Sequence, residues 1–285
     1  PRFVSPFFIP SMISDIAPGH ISIKYGFRGP NYSVVSACAT SNHAFGDAFK
    51  MIQSGLADVI IAGGCEAAIT EMSIAGFSNM KALSKNNDIN TASRPFDKKR
   101  DGFVMGEGAG ILVLESYEHA TKRKANILAE IAGYGASGDA FHITSPDPEG
   151  KGAKLAILNA LKDAKIKEDD IQYINAHGTS TPYNDKVESK VIKEVFKNNY
   201  KNIFVNSTKS MTGHLLGAAG GIEAVATILS MKNNFLHPTI NYTNPDPDCT
   251  LNYIPNKGIS AKVNYALSNN FGFGGHNSVI VFKGS

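Results

Sequence analysis

Alternation between short apolar runs and amphipathic segments constrains this fold more than any other feature of the sequence. The β-branched pair Val34-Val35 predicts a strand that ends in a tight turn at Cys38. Four apolar residues then share one helical face: Phe45, Ala48, Phe49 and Ile52. Residues 58–64, an apolar run closed by two glycines, predict a buried parallel strand. Strand, helix and strand in this order are typical of a layered α/β fold.

The same alternation continues along the chain and then restarts. Further helices are predicted at 115–124, 153–164, 185–197 and 215–232, and further strands at 111–114, 127–134, 171–176, 203–207, 265–269 and 278–282, the last two as a hairpin. The sequence therefore predicts two α/β blocks, residues 1–120 and 121–285, of which the first is incomplete. Because the chain starts abruptly in an apolar stretch without Met, we expect a natural N-terminal portion to be missing.

Composition excludes several classes of protein. The 285 residues carry a net charge of only +3 with scattered basic residues, so nothing points to nucleic acid. No apolar stretch approaches the roughly 20 residues that a membrane span needs, so we expect no membrane insertion. The three cysteines, Cys38, Cys65 and Cys249, have neither metal-site spacing nor the pattern of a disulfide framework. We therefore expect no metal and a reducing compartment.

Cys38 is the candidate nucleophile. A thiol at a helix N-terminus faces the positive end of the helix dipole and unpaired backbone N–H groups, which lower its pKa. The same N–H groups can stabilise an oxyanion. The alternative is a small buried cysteine without chemistry, which is the more common role of a single cysteine.

Two histidines stand in matching contexts of the second block. His177 and His214 each follow a predicted strand, and groups at the carboxyl ends of such strands meet in one crevice. Four others are interpreted as ordinary surface or core residues: His20, His119, His142 and His237. Glu223 lies on the apolar helix after His214, and a buried carboxylate there needs a cation, for which Lys209 is the nearest candidate.

Two glycine-rich segments have different interpretations. The glycines of 106–110 precede a strand instead of opening a helix, so they indicate close backbone packing and not a dinucleotide site. The link 270–277 contains Phe271 and Phe273 among glycines, which allow backbone N–H groups to approach a ligand. A plain hairpin turn explains the glycines of this link but not its two phenylalanines.

These motifs resemble those of the β-ketoacyl-[acyl carrier protein] synthases, the elongating condensing enzymes of type II fatty acid synthesis. The matching segments are Val35-Ser36-Ala37-Cys38-Ala39-Thr40-Ser41, His177-Gly178-Thr179-Ser180-Thr181, Lys209-Ser210-Met211-Thr212-Gly213-His214 and Gly272-Phe273-Gly274-Gly275-His276-Asn277. The resemblance implies a thiolase-like layered αβαβα fold of two duplicated halves, 1–120 with the nucleophile and 121–285 with both histidines. It covers the later two-thirds or so of a family member.

The resemblance implies a two-stage reaction without a cofactor. Cys38 would take the acyl chain from acyl carrier protein, and malonyl carrier protein would lose CO2 and attack that thioester. His177 and His214 would stabilise the negative charge on the malonyl thioester oxygen, and the N–H groups of Cys38 and Phe273 would form the oxyanion hole.

Further roles follow from the same resemblance. Lys209 and Glu223 match residues that organise the site, with Asp185 and Asn277 in supporting positions. Phe271 and Phe273 match the acyl side, Phe273 as a gate. Thr179 and Thr181 match hydroxyls on the malonyl side, and Lys81 a basic position that meets the acidic carrier protein. The implied partners are acyl- and malonyl-loaded carrier protein and a second copy of the chain in a homodimer.

Alternatives remain open at this level. A polyketide ketosynthase shares these motifs, whereas a thiolase replaces one histidine with a second cysteine and a chain-length partner subunit typically lacks the nucleophile. His276 stands where many bacterial members carry threonine, and with the run ending at Asn42 it favours a plastid or apicoplast enzyme. Bacterial cytoplasm is the alternative location.

Overall fold

The computed structural model describes residues 2–197 and 199–285, together with the backbone of Asn198. It divides into an N-terminal unit that ends at Val35 and a larger unit, Ser36–Ser285. The smaller unit contains the helices α1 (Phe8–Met12) and α2 (Ile16–Tyr25). Neither helix has a buried residue. The candidate site residues all belong to the larger unit.

A six-stranded mixed sheet organises the larger unit. Its strands are β3 (Ala129–Gly138), β10 (His276–Gly284), β9 (Tyr265–Gly272), β4 (Tyr173–Asn175), β5 (Phe204–Asn206) and β7 (Asn252–Tyr253), in that spatial order. Strands β9, β4, β5 and β7 run parallel, and β3, β10 and β9 pair antiparallel. The predicted hairpin is confirmed as β9 and β10, joined by a short glycine turn.

Helices cover both faces of this sheet. The helices of the larger unit are α3 (Thr40–Gln53), α4 (Glu71–Asn79), α5 (Tyr117–Lys122), α6 (Lys151–Ala164), α7 (Pro182–Phe196), α8 (Lys209–Thr212) and α9 (Ala219–Asn233). Along β10, Val279 and Val281 belong to the hydrophobic cluster that contains residues of α6 and α7, whereas Ile280 and Phe282 belong to the cluster that contains residues of α3 and α9. This alternation is the period-two pattern of a strand buried on both faces.

A second sheet lies on the far side of α3 and α9. It pairs β1 (Val59–Glu66) with β2 (Gly108–Glu115). A Cβ on Gly110 would lie 2.1 Å from the backbone carbon of Gly221, so glycine lets β2 and α9 touch, as expected for close backbone packing. The resulting order of helix, sheet, helix and sheet confirms the predicted layered α/β class. A small sheet of β6 (Phe235–Leu236) and β8 (Ile259–Ser260) completes the strands.

Three local predictions are wrong. Residues 30–36 form no strand, because no strand within the described residues pairs with them. β1 is antiparallel and only partly buried, since an apolar run does not report the direction of its partner. The helix predicted at 215–232 begins as a 3-10 turn, Leu216–Ala218, before α9. In addition, α4 was not predicted, although Thr70 caps it by accepting the Ser73 N–H.

The other predicted helices and strands are present with shifts of a few residues at their ends. No helix among the described residues combines the length and apolar character that a bilayer crossing requires.

Candidate active site

Cys38 lies in a strained turn at the start of α3. It is the middle residue of the 3-10 turn Ala37–Ala39, and the residue is 8% exposed. Ala37 has a φ of 49°, in the left-handed region that non-glycine residues avoid. The Thr40 hydroxyl accepts the Ser36 N–H at 2.9 Å and donates to the Ala37 carbonyl at 2.8 Å. These bonds hold the turn that presents the sulfur.

The end of β9 packs directly on this turn. A Cβ on Gly272 would lie 2.6 Å from the Ser36 carbonyl oxygen and 3.1 Å from the Cys38 nitrogen, so only glycine permits the approach. The approach brings the backbone N–H of Phe273 to the sulfur, beside the N–H of Cys38 itself. Two N–H donors therefore converge where a carbonyl bound to Cys38 would develop negative charge.

The expected lowering of the Cys38 pKa is wrong. Burial raises the pKa of this thiol from its usual value near 9 to about 11 and outweighs the opposite effects of Lys209 and the two N–H groups. A buried thiolate loses the free energy of its hydration, and the few N–H groups of a short 3-10 turn replace only a small part of that loss. The resting thiol is therefore protonated at neutral pH.

The two candidate histidines are in contact. The rings of His177 and His214 are 5.4 Å apart between centroids and nearly perpendicular, at 85°. His177 follows β4, and His214 follows β5 after the one-turn helix α8. Both side chains are buried. The sheet brings them together because β4 and β5 are neighbouring parallel strands whose carboxyl ends share an edge.

The hydrogen bonds of the imidazoles assign one tautomer to both. Nζ of Lys209 lies 3.4 Å from Nδ1 of His177, and an ammonium group can only donate. The Leu216 N–H donates to Nδ1 of His214 at 3.2 Å. Each Nδ1 is thus an acceptor, so we assign the ring proton of both histidines to Nε2. Leu216, whose N–H makes this bond, has a left-handed backbone conformation with a φ of 49° in the turn after His214.

Both imidazoles are neutral at physiological pH. Burial lowers the pKa of His177 well below its usual 6.5, with further lowering by Lys209 and His214. Burial and Lys209 lower the pKa of His214 in the same direction. The pair therefore offers two uncharged N–H donors in a water-poor environment, where hydrogen bonds to a developing anion are strongest.

Lys209 and Glu223 form the expected buried ion pair. The Asn270 amide also donates to Glu223, at 2.7 Å. Burial raises the pKa of Glu223, and Lys209 opposes that rise. Because Lys209 also lowers the pKa values of Cys38, His177 and His214, one cation acts on all three candidate reactive groups.

Aromatic rings extend from the histidines in both directions. Successive ring contacts, with centroids 5.2–5.7 Å apart, join Phe77, Phe103, His214, His177 and Phe271. Phe77 belongs to α4 and Phe271 to β9, so the site is walled by apolar faces on two sides. Phe271 thus lies against His177, whereas Phe273 is placed at the sulfur through its N–H.

The remaining predicted residues lie at different distances from this cluster. Thr179 and Thr181 follow His177, and their hydroxyls are hydrogen-bonded at 2.8 Å. Asp185 is buried at the start of α7 and accepts the Phe96 N–H. Asn277 donates to Asp139 at 2.7 Å and to the Gly275 carbonyl at 3.3 Å, at the β9–β10 turn. Lys81 is exposed just after α4, outside the cluster.

Sequence reasoning missed Glu188. This buried carboxylate of α7 accepts the N–H groups of His177 and Gly178, both at 2.9 Å, and the Asn269 amide at 3.2 Å. Burial raises its pKa to about 7 against those donors. A signal was present, because Glu188 shares the inward face of α7 with Val191 and Ile192. Within the described residues, no group of three or more His, Cys, Asp or Glu side chains is arranged to hold a metal ion.

Comparisons with known proteins agree with this arrangement. The family models "Beta-ketoacyl synthase, N-terminal domain" and "Beta-ketoacyl synthase, C-terminal domain" match residues 1–120 and 128–243. The chain is 57% identical over 283 residues to 3-oxoacyl-[acyl-carrier-protein] synthase 2 of Staphylococcus aureus, covering 99% of this chain and 70% of that protein. The enzyme of the same name from Synechocystis is 54% identical over 284 residues, covering 99% and 68%.

Solved structures give the same result. A chain of the AntDE:AntF complex, a type II polyketide acyl carrier protein solved with its ketosynthase, matches with a TM-score of 0.98 at 42% identity, covering 100% of this chain and 70% of that one. A β-ketoacyl synthase from Burkholderia phymatum matches with a TM-score of 0.94 at 39% identity, covering 99% and 68%. The chain thus spans about 70% of the length of these relatives, and it belongs to the β-ketoacyl synthase family.

Proposed function

We propose that this chain, a 3-oxoacyl-[acyl carrier protein] synthase by its relatives, joins an acyl group held on Cys38 to the two-carbon unit of malonyl carrier protein. The observation that carries the mechanism is the shared tautomer of His177 and His214, which gives two neutral Nε2–H donors side by side. Each stage of the reaction uses a different part of the site.

The first stage is acyl transfer. The Cys38 sulfur attacks the thioester carbonyl of the acyl carrier protein, a new S–C bond forms, and the carrier thiolate leaves with the proton that Cys38 gives up. Because the resting thiol is protonated, that proton must move as the S–C bond forms. The N–H groups of Cys38 and Phe273 stabilise the oxyanion of the tetrahedral intermediate.

The second stage is decarboxylative condensation. The C–C bond to the malonyl carboxylate breaks, CO2 leaves, and the electron pair remains as an enolate whose oxygen accepts hydrogen bonds from His177 and His214. The enolate carbon then attacks the Cys38 thioester, the 3-oxoacyl product leaves on the carrier protein, and the Cys38 thiolate takes up a proton. Thr179 and Thr181, next to His177, are proposed to hold the malonyl group.

The partner proposed for both stages is an acyl carrier protein. Support comes from the AntDE:AntF structure, in which a similar ketosynthase is bound to its carrier protein. Exposed Lys81 is our candidate contact for the acidic carrier surface. We also retain a homodimer, with residues 1–120 and 121–285 as the two halves of each chain, as a proposal.

A bacterial enzyme has the better support as a source. The relatives at 57% and 54% identity come from Staphylococcus and Synechocystis. The motif around His276 and the run ending at Asn42 favour a plastid-type enzyme, so plastid location stays a prediction. Polyketide elongation is a second candidate, favoured by the TM-score of 0.98 to the AntDE:AntF structure. The sequence identity to that structure is 42%, which is lower than the 57% and 54% identity to the two 3-oxoacyl-[acyl-carrier-protein] synthases.

Mass spectrometry of the two stages tests the proposal. Incubation with acyl carrier protein should add the acyl mass to Cys38, and later addition of malonyl carrier protein should release CO2 and one 3-oxoacyl product. Cys38→Ser should take up no acyl group, whereas His177→Ala and His214→Ala should acylate but not condense. An active enzyme with unmodified Cys38 contradicts the proposal, and repeated extension without release favours the polyketide alternative.

A further inference from the structure

Arg100 is a buried cation that the proposed reaction does not use. Its side chain is 5% exposed in the loop between α4 and β2. Nε donates to the Thr181 carbonyl at 3.1 Å, and Nη2 donates to the Pro182 carbonyl at 3.0 Å. Nη1 donates to the Asp97 carbonyl at 3.0 Å and to the Asp246 carboxylate at 2.5 Å. One planar guanidinium thus joins three loops through four hydrogen bonds, whereas a lysine has only three N–H donors on one nitrogen.

Asp185 binds the opposite end of the segment that Arg100 binds. Its carboxylate accepts the backbone N–H of Thr179. Nε of Arg100 lies 3.7 Å from Oδ2 of Asp185, so the two buried side chains form an ion pair. The pair therefore holds the N–H of Thr179 and the carbonyl of Thr181, the two ends of a three-residue segment.

This segment needs to be held in place. Ser180, its middle residue, has a φ of 67°, a left-handed conformation that is unfavourable for a non-glycine residue. Loop 94–102 contributes two further bonds, because the Ser180 hydroxyl accepts the Arg94 N–H and the Ser180 carbonyl accepts the Gly102 N–H. A relaxed segment would separate the Thr179 and Thr181 hydroxyls, which are now hydrogen-bonded at 2.8 Å in the segment that follows His177.

We propose that Arg100 is a positioning residue for the malonyl stage and acts through Thr179 and Thr181. This inference rests on the proposed function, because it requires malonyl carrier protein to react beside His177. A merely structural role of Arg100 predicts equal losses in acyl transfer and condensation. A positioning role predicts a selective loss in condensation, since Cys38 and Phe273 have no bond to this segment among those described.

The test measures both stages separately in Arg100→Lys. Lysine keeps the positive charge beside Asp185 and Asp246, but its three N–H donors on one nitrogen cannot replace all four hydrogen bonds of the guanidinium group. We expect the KM for malonyl carrier protein to rise and kcat/KM for condensation to fall by roughly tenfold to 100-fold. The rate of Cys38 acylation should stay within about twofold of wild type. Arg100→Met should lose more, so lysine should act as a partial rescue.

Two further variants complete the design. Lys99→Met removes an exposed cation from the same loop and should change neither stage. Asp246→Asn weakens the hold on Arg100 from a partly exposed position, and it gives the same readout if Arg100→Lys does not fold. It should raise the malonyl KM selectively, by less than Arg100→Lys.

Two results overturn the inference. One is an equal loss in both stages, and the other is a wild-type malonyl KM in folded Arg100→Lys or, failing that, in Asp246→Asn. Failure of the wild-type protein to condense malonyl carrier protein would overturn the proposed function and this inference with it. That failure is distinguishable, because it is seen in the wild-type reaction alone.

Discussion

Nζ of Lys209 lies 3.4 Å from Nδ1 of His177, so one buried ammonium group sets the tautomer of an imidazole. The same group is paired with Glu223, which fixes its position. Lys209 therefore has two roles: it neutralises the buried Glu223 carboxylate, and it donates to His177. It places the ring proton of His177 on Nε2, and it adds to burial, the larger cause, in lowering the pKa of that ring.

Lys209→Met should impair condensation more than acyl transfer. Without the ammonium group, His177 is free to place its proton on Nδ1, and loss of one oxyanion donor typically lowers kcat by about 100-fold or more. The variant should also unfold more easily, because an unpaired buried Glu223 costs about 3–5 kcal/mol. Both stages and the free energy of unfolding in urea are to be measured.

The double variant Lys209→Met with Glu223→Gln separates these effects. It should recover most of the stability while condensation stays slow. Lys232→Met, an exposed position on α9, is the matched control. Condensation at the wild-type rate in folded Lys209→Met would contradict the assigned tautomer.

The raised pKa of Cys38 predicts an unusual pH profile for alkylation. Because burial moves this pKa to about 11, the rate of iodoacetamide labelling should still rise steeply between pH 10 and pH 11, where labelling of an ordinary thiol with a pKa near 9 has levelled off. Peptide mapping by mass spectrometry distinguishes Cys38 from exposed Cys65. A plateau for Cys38 below pH 8 would show that the thiolate is stabilised after all.

The same shift has a consequence for stability. Between pH 9 and 11 the folded chain keeps a proton on Cys38 that the unfolded chain has lost, so stability should fall as pH rises through that window. Cys38→Ser should reduce this slope in urea titrations. An unchanged slope would mean that Cys38 does not titrate in this range.

The sequence predicted most of the site because its residues follow strands. His177 and His214 come after β4 and β5, and neighbouring parallel strands necessarily bring their carboxyl ends together. The β9–β10 hairpin was predicted for an equally local reason, since glycines separate two apolar runs. In each case the local pattern determined the long-range contact.

Other features depended on information that no local pattern carries. The direction of β1 depends on β2, which is more than 40 residues away along the chain and pairs antiparallel with it. The pKa of Cys38 depends on burial by β9 and α9, whereas helix position alone suggested the opposite direction. Glu188 was overlooked because its partners are backbone N–H groups, which every residue has.

Glu188→Gln should slow condensation without preventing acylation of Cys38. The carboxylate accepts N–H bonds through both oxygens, whereas a glutamine amide would point its NH2 group at one of the two N–H donors. One unsatisfied buried donor costs about 1–3 kcal/mol. We expect that loss in urea unfolding, together with a displaced His177 and slower release of CO2 from malonyl carrier protein.

Glu194→Gln, an exposed position of the same helix, controls for the loss of charge. The backbone amide signals of His177 and Gly178 in NMR spectra report the lost bonds directly. If those signals and CO2 release match wild type, Glu188 does not position His177.

Gly272→Ala should disrupt acyl transfer through sterics alone. Its Cβ would lie 2.6 Å from the Ser36 carbonyl oxygen and 3.1 Å from the Cys38 nitrogen, and backbone atoms cannot turn aside as a side chain can. The turn that carries Cys38 must therefore move away from β9, which also withdraws the Phe273 N–H from the sulfur. We expect a stability loss of about 1–3 kcal/mol and a larger proportional loss in the rate of Cys38 acylation.

Gly138→Ala is the matched control, because its Cβ would meet nothing nearer than 4.0 Å and it also lies at the end of a strand of the same sheet. Acylation is to be followed by intact-protein mass spectrometry, with unfolding in urea measured alongside. Normal acylation in Gly272→Ala would mean that the oxyanion donors do not depend on the close approach of β9. The N–H groups of Cys38 and Phe273 would then still serve as oxyanion donors after the turn had moved away from β9 to make room for the added Cβ.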